Sequence, residues 1–165
     1  MPDPGKITLR PTLEPDLAFL ERMLFEAFFW QPSTPRPAFD DFRQHPEFVK
    51  LLAGWGRPGD TGFIAEVKGV PTGAAWYRFW TEARHSYGYV DSATPEIAIG
   101  VDHLYRGQGI GRALLQALLA EASRQGLRQV SLSVDPHNVA RQLYESEGFI
   151  KVGELGTSWT MLRPL

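Results

Sequence analysis

A chain of 165 residues, 43% hydrophobic and 22% charged, has the size and composition of one soluble globular domain. A net charge of −2 and a pI near 6.1 give no electrostatic footprint for general nucleic-acid or anionic-membrane binding. With no cysteine present, disulfides, thiolate metal clusters and acyl transfer through a cysteinyl intermediate are all excluded.

The N-terminal stretch MPDPGKITLR has no apolar signal core, and no segment is apolar for the roughly 20 residues a bilayer span needs. The expectation is a cytoplasmic protein without membrane or nucleic-acid partners. Lys6 to Arg10 reads as a short strand. Thr12 is the expected N-cap of a first helix, with Glu14 and Asp16 at the positive end of its dipole and Pro15 in its first turn. Leu13, Leu17, Leu20, Leu24 and Phe28 share one helical face, and prolines 32, 35 and 37 stop the helix near Trp30. A second helix is expected after Pro37, with Phe39, Phe42, Phe48, Leu51 and Leu52 as its apolar contacts. The aromatics Phe28, Phe29, Trp30 and Phe39 around the proline turn are either core packing or a pocket wall.

Gly54 to Gly62 is a glycine-rich connection. Phe63 to Val67 and Thr72 to Trp80 read as strands around a Lys68–Pro71 turn. On the second strand Ala74, Trp76, Arg78 and Trp80 face one way and Ala75, Tyr77 and Phe79 the other, so it is expected to be covered on both sides. A polar segment from Thr81 to Thr94 leads into the strand EIAIGV, which runs from Glu96 to Val101. Gly107, Gly109 and Gly111 then alternate just before a helix with Ile110, Leu114, Leu115, Leu118, Leu119 and Ala122 on its buried stripe and Gly126 at its C′ position. VSLSV (Val130 to Val134) is a further strand. A short helix between Asn138 and Gly148 and a closing strand pair, about Phe149–Glu154 and Ser158–Arg163, complete one α/β domain over residues 1–165.

Backbone N–H groups at a strand-to-helix turn favour a phosphate-bearing ligand. A dinucleotide fingerprint fails, because Arg112 stands where a third glycine is required, and no Gly-Lys-Ser/Thr P-loop occurs. The residues Arg106-Gly107-Gln108-Gly109-Ile110-Gly111 instead make an R-x-x-G-x-G turn. They are followed by an N-x-A-x-x-L-Y-x-x-x-G-F helix from Asn138 to Phe149. Together the two motifs resemble the GNAT superfamily of N-acetyltransferases, most closely from about Pro95 to Phe149.

This resemblance implies a single mixed, mostly antiparallel sheet with one splayed strand pair, flanked by about four helices. It implies acetyl-CoA as the acyl donor. Backbone N–H groups across Arg106, Gly107, Gln108, Gly109, Ile110 and Gly111 would hold its pyrophosphate, with Arg112 close by and glycines needed for dihedrals and close approach. Backbone at Ile99, Gly100 and Val101 would pair with the pantetheine arm, which requires a splay from VSLSV. Asn138 would contact the same arm or cap its helix. The N–H of Val101 would bind the oxyanion, and Tyr144 would protonate the departing thiolate or else pack with Leu143.

Glu96 is the candidate general base, its alternative being a solvent-facing strand-edge carboxylate. His85, His103 and His137 form no metal-spaced cluster. The acceptor, a small-molecule or peptide amine, is left to Phe29, Trp30, Trp76, Trp80, Glu82, Tyr87 and Tyr89, an aromatic set suited to a cationic or amphipathic amine. Two functional classes follow: a working N-acetyltransferase, monomer or homodimer, using direct transfer, or a CoA-binding regulatory or scaffold module without turnover.

Overall fold

A computed structural model describes residues 5–165; residues 1–4, part of the stretch read for a signal core, lie outside the described residues. Among the described residues seven strands form one sheet: β1 (Ile7–Pro11), β2 (Thr61–Val67), β3 (Val70–Arg78), β4 (Glu96–Val101), β5 (Gln129–Val134), β6 (Ile150–Leu155) and β7 (Ser158–Pro164). Their spatial order is β1-β2-β3-β4-β5-β7-β6. Every neighbouring pair is antiparallel except β4 with β5, which is parallel. The mixed, mostly antiparallel sheet is the one expected.

Among the described residues five α-helices flank it: α1 (Leu17–Phe28), α2 (Phe39–Gln44), α3 (Pro46–Leu52), α4 (Ile110–Arg124) and α5 (Ala140–Ser146). The extra helix arises where the expected second helix breaks. His45 is extended, its Nδ1 accepts the N–H of Glu47 at 3.2 Å, and Pro46 starts a new first turn. The start of the first helix also differs from expectation. Thr12 donates its N–H to Gly62 O at 2.9 Å and stays with the sheet. A single 3-10 turn (Glu14–Asp16) precedes α1, and Asp16 accepts the Leu13 N–H at 2.7 Å while pairing with Arg10. Leu13, expected on the buried face, is therefore 61% exposed.

Strand alternation divides the core into two layers. On one face Ala75, Tyr77 and Ile97 pack under α4, where Ile110, Leu114, Leu115 and Leu118 are almost fully buried. Each such leucine contributes about 1.5–3 kcal/mol of burial. On the other face Ile64, Ala74, Trp76 and Trp80 pack against Leu20, Leu24, Phe42, Leu51 and Leu52 of α1 to α3. Both sides of β3 are covered, as its two aromatic faces require.

Ala74, Ala98 and Gly100 make a shallow trough on the second face, and α1 lies in it. A Cβ built on Gly100 would stand 2.0 Å from the carbonyl oxygen of Met23. No helix among the described residues is long and apolar enough to cross a membrane.

Candidate active site

The centre of the molecule is an opening in its own sheet. Asp102 donates its N–H to Thr72 O at 2.8 Å, across to the β3 side. Successive strand residues turn their backbone groups to opposite edges, so Gly100 and Ala98 also face β3, while Ile99 and Val101 face β5. Yet β5 meets β4 in a single registered pair, Glu96 with Ser131, supported by Ser131 N–H to Pro95 O at 3.0 Å. Beyond that pair the strands part. Ile97, Ile99, Gly100 and Val101 then line a cavity of about 750 Å³.

At the far end of β4 the chain turns into α4. Gly107 and Gly109 hold φ of +78° and +84°, the left-handed region where a side chain is strained. Neither has a protein atom within 4 Å of the place a Cβ would take. Gly109 caps a 15-residue helix without a side-chain bond, so the N–H groups of Ile110, Gly111 and Arg112 have no helical partners. Gly107, Gly109, Ile110, Gly111 and Arg112 all line the cavity, and Gln108 does not. The turn offers backbone rather than side-chain charge: the Arg112 guanidinium is held by Glu147 at 2.5 Å.

The Arg106 side chain is likewise paired within the cavity lining, its Nε donating to Val101 O at 3.3 Å and its Nη2 meeting a buried residue that sequence reasoning missed. Glu26, near the end of α1, accepts two bonds from Arg36 at 3.1 Å and one from Arg106 at 3.0 Å, with His103 Nδ1 at 3.4 Å. The same guanidiniums reach the last carbonyls of this helical segment: Arg36 to Phe29 O at 2.9 Å, Arg106 to Glu26 O and Trp30 O at 3.3 Å. Two cations at a helix C-terminus complement its dipole. The only sequence signal was a carboxylate three residues beyond Met23, flanking an otherwise apolar stripe.

Glu96 stands at the closed end of the opening. Its carboxylate accepts the Gly88 N–H at 2.8 Å, and Ser131 Oγ donates to Gly88 O at 2.7 Å, so the segment before β4 is pinned over β5. Glu96 keeps some surface toward the cavity, but the protein crowding its carboxyl pushes the pKa up to about 7. Hydrogen bonds from Ser86 and Gly88 and the charges of His85 and Lys50 oppose that rise without cancelling it.

Tyr144 comes from α5, 8% exposed, its ring 5.8 Å from that of Phe149. Burial alone pushes its phenol up to about 12, so it holds its proton throughout the neutral range. Asn138 lines the same wall, and its Oδ1 accepts the Ala140 N–H at 3.0 Å, a capping bond at the start of α5.

The remaining residues divide. Trp30, Trp76, Trp80 and Tyr87 line the cavity, and so does Phe28, one of the aromatics read as either core packing or a pocket wall; Leu24 and Leu51, which sequence reasoning had not assigned to it, line it too. Phe29 packs instead on Phe25 and Phe42, and Tyr89 stacks on His85 at 4.5 Å; neither lines the cavity. Glu82 is exposed and lies outside the lining.

Comparison with known proteins agrees with this geometry. A sequence model described as the acetyltransferase (GNAT) family matches residues 18–149. A mycothiol acetyltransferase of Thermobispora bispora is 39% identical over 100 residues, 60% of this chain and 30% of the relative. The chain spans about a third of the length of such relatives. The putative phosphinothricin acetyltransferase YwnH of Bacillus subtilis is 30% identical over 125 residues, 74% of this chain and 67% of its own length. The PaiA N-acetyltransferase of Thermoplasma acidophilum, solved with coenzyme A, superposes with a TM-score of 0.71, covering 97% of this chain and 99% of its own at 16% identity. At that identity the likeness shows the fold.

Proposed function

The chain belongs to the acetyltransferase (GNAT) family, and from that premise we propose that it moves an acetyl group from acetyl-CoA directly to a primary amine. The opening between β4 and β5 carries this conclusion. It joins unpaired backbone donors, a half-buried carboxylate and a buried phenol along one cavity, with the glycine turn at one end.

Acetyl-CoA, when bound, supplies a thioester carbonyl open to an amine and a sulfur able to leave as thiolate. The residues present fit it. First-turn N–H groups at Ile110, Gly111 and Arg112 and the free space before Gly107 and Gly109 suit a pyrophosphate. The Val101 N–H and Asn138 suit the pantetheine arm, the Val101 carbonyl already accepting from Arg106 Nε at 3.3 Å.

We assign the oxyanion N–H to Ile99 rather than Val101. At about 3.3 Å per residue, Val101 lies about 16 Å along the strand from Glu96, whereas Ile99 lies about 10 Å away. The shorter span accommodates an attacking amine between base and donor, with a water at most. Glu96 takes the ammonium proton, for which a carboxyl titrating near 7 is well matched. The Tyr144 hydroxyl gives its proton to the leaving sulfur.

The test is free-thiol release from acetyl-CoA across an amine library, beside a no-acceptor control, with thermal shift as an independent readout of binding. Acetyl-CoA is expected to raise the melting temperature while NAD and ATP do not; no rise at saturation would end the proposal. Binding without thiol release across the library would favour a non-catalytic CoA-binding module.

Two variants separate the roles. Gly109→Ala is expected to cost only about 1–2 kcal/mol of stability, since space is open and only the left-handed φ is strained. Its acetyl-CoA affinity should fall at least tenfold, about 1.4 kcal/mol, because the methyl group screens the helix N–H groups. Unchanged affinity by calorimetry would take the turn out of the phosphate site. Tyr144→Phe should lower kcat by roughly 10²-fold while leaving acetyl-CoA affinity in place. Undiminished kcat would remove the phenol from the acid role.

A further inference from the structure

The cavity wall at the Glu96 end has a chemistry of its own. Its large side chains are Phe28, Trp76, Trp80 and Tyr87, backed by Leu24 and Leu51. The Tyr87 hydroxyl is occupied, donating to Glu47 Oε2 at 2.8 Å.

Arg78, directly opposite Glu96 in the β3–β4 register, is a cation in this wall, and it is already neutralised. Its side chain is 2% exposed. Nε and Nη2 reach Asp60 at 3.1 and 3.0 Å, Nη1 donates to Leu51 O at 3.0 Å, and Nη2 donates to Ala53 O at 2.8 Å. The rings of Trp55 and Trp80 lie 5.5 and 5.7 Å from the guanidinium carbon.

The other lining arginines, Arg106 and Arg112, belong to the glycine-turn end and are paired with Glu26 and Glu147. Lys50 and His85 are near enough to act on Glu96 electrostatically, but neither lines the cavity. Among the described lining residues at this end, Glu96 is the carboxylate without a paired cationic side chain.

We propose that the acceptor is a primary amine on a single apolar, ring-sized body without an anionic group, an arylalkylamine being the simplest example. This rests on the acetyltransferase assignment for the reaction, though not for the binding. A ring gains edge or offset contacts with the wall aromatics, and an ammonium gains the Glu96 carboxylate; the Trp80 ring already carries the Arg57 and Arg78 guanidiniums at 5.4 and 5.7 Å. A carboxylate or phosphate on the acceptor would be desolvated with no cation to meet it. A polyamine would strand its second ammonium against apolar surface.

The probes are 2-phenylethylamine, spermidine, L-glutamate and alanylalanine. Tryptophan fluorescence of the protein alone, with Trp76 and Trp80 in the wall, reads binding without acetyl-CoA; thiol release reads turnover. The expected result is saturable quenching by 2-phenylethylamine and a kcat/KM at least 10²-fold above that for L-glutamate and at least tenfold above those for spermidine and alanylalanine.

Phe28→Ala should raise the KM for 2-phenylethylamine about tenfold, with Phe28→Leu restoring most of it and the acetyl-CoA thermal shift unchanged in both. Equal or better turnover of glutamate, spermidine or the dipeptide would overturn the proposal. So would failure of 2-phenylethylamine to quench or react in protein that acetyl-CoA still stabilises. If acetyl-CoA neither stabilises the protein nor releases thiol, the acetyltransferase assignment falls instead, and the fluorescence titration alone judges the pocket.

Discussion

Gly100→Ala is expected to destabilise the fold by about 3 kcal/mol or more, the upper end of overpacking effects. For a domain of this size that corresponds to a fall of roughly 6–12 °C in melting temperature. The cause is specific. The added methyl carbon would meet the Met23 carbonyl oxygen at 2.0 Å, and that oxygen is helix backbone rather than the end of a flexible side chain. To make room, α1 must lift from β4, loosening Leu20, Met23 and Leu24 together. The damage should extend to the site, because Phe28 and Trp30 sit at the end of the same helical segment. Thermal and urea unfolding of the variant beside wild type decide the matter. A change below about 2 °C would mean that the helix is not held at that distance.

The second large effect is Glu96→Gln. Turnover is expected to fall by roughly 10²–10⁴-fold with little change in acetyl-CoA affinity. The pH profile carries more information than the rate. Only the carboxylate can take a proton, so wild-type kcat/KM should climb with pH and level off above a pKa near 7, a limb the glutamine variant lacks.

Stability should move in the opposite sense. The folded protein holds the Glu96 proton more tightly than the unfolded chain, whose glutamate titrates near 4.5. Its contribution is therefore fully present below pH 4.5 and is lost as pH rises through 7. Glutamine, neutral throughout, should gain on wild type by as much as about 3 kcal/mol between those limits. A variant that lost activity and stability equally at every pH would point to a structural role. One that kept its turnover would require another base.

Much of this arrangement was legible in the chain because its signals are local. The spacing of Leu114, Leu115, Leu118 and Leu119 fixed α4 and its buried face. Gly126 marked the end, and its left-handed φ of +79° agrees. The alternating aromatics of β3 foretold a strand covered on both sides.

What stayed hidden depends on partners distant in sequence or on a neighbour's prior claim. Thr12 has the right side chain for a cap, but a sheet hydrogen bond to Gly62 holds it back. His45 carries no helix-breaking signal of its own; Pro46 forces it out of the helical region. Phe29 and Phe28 are adjacent, chemically alike and both packed against the same core, yet only the Phe28 ring also reaches the cavity. Arg106 was legible as part of the turn, but its side chain answers to Glu26, 80 residues earlier.

That last connection sets what can be exchanged between related proteins. The turn from Arg106 to Gly111 looks like a self-contained cassette, and α1 with its following loop looks like another. Glu26 binds arginines from both. A chimaera that imported the turn alone, without an arginine at its first position, would leave a buried carboxylate half-compensated; one that imported α1 alone would strand Arg106. The heritable unit is therefore discontinuous, and acceptor-side diversification is expected to pass through sequences in which Glu26, Arg36 and Arg106 change together or not at all.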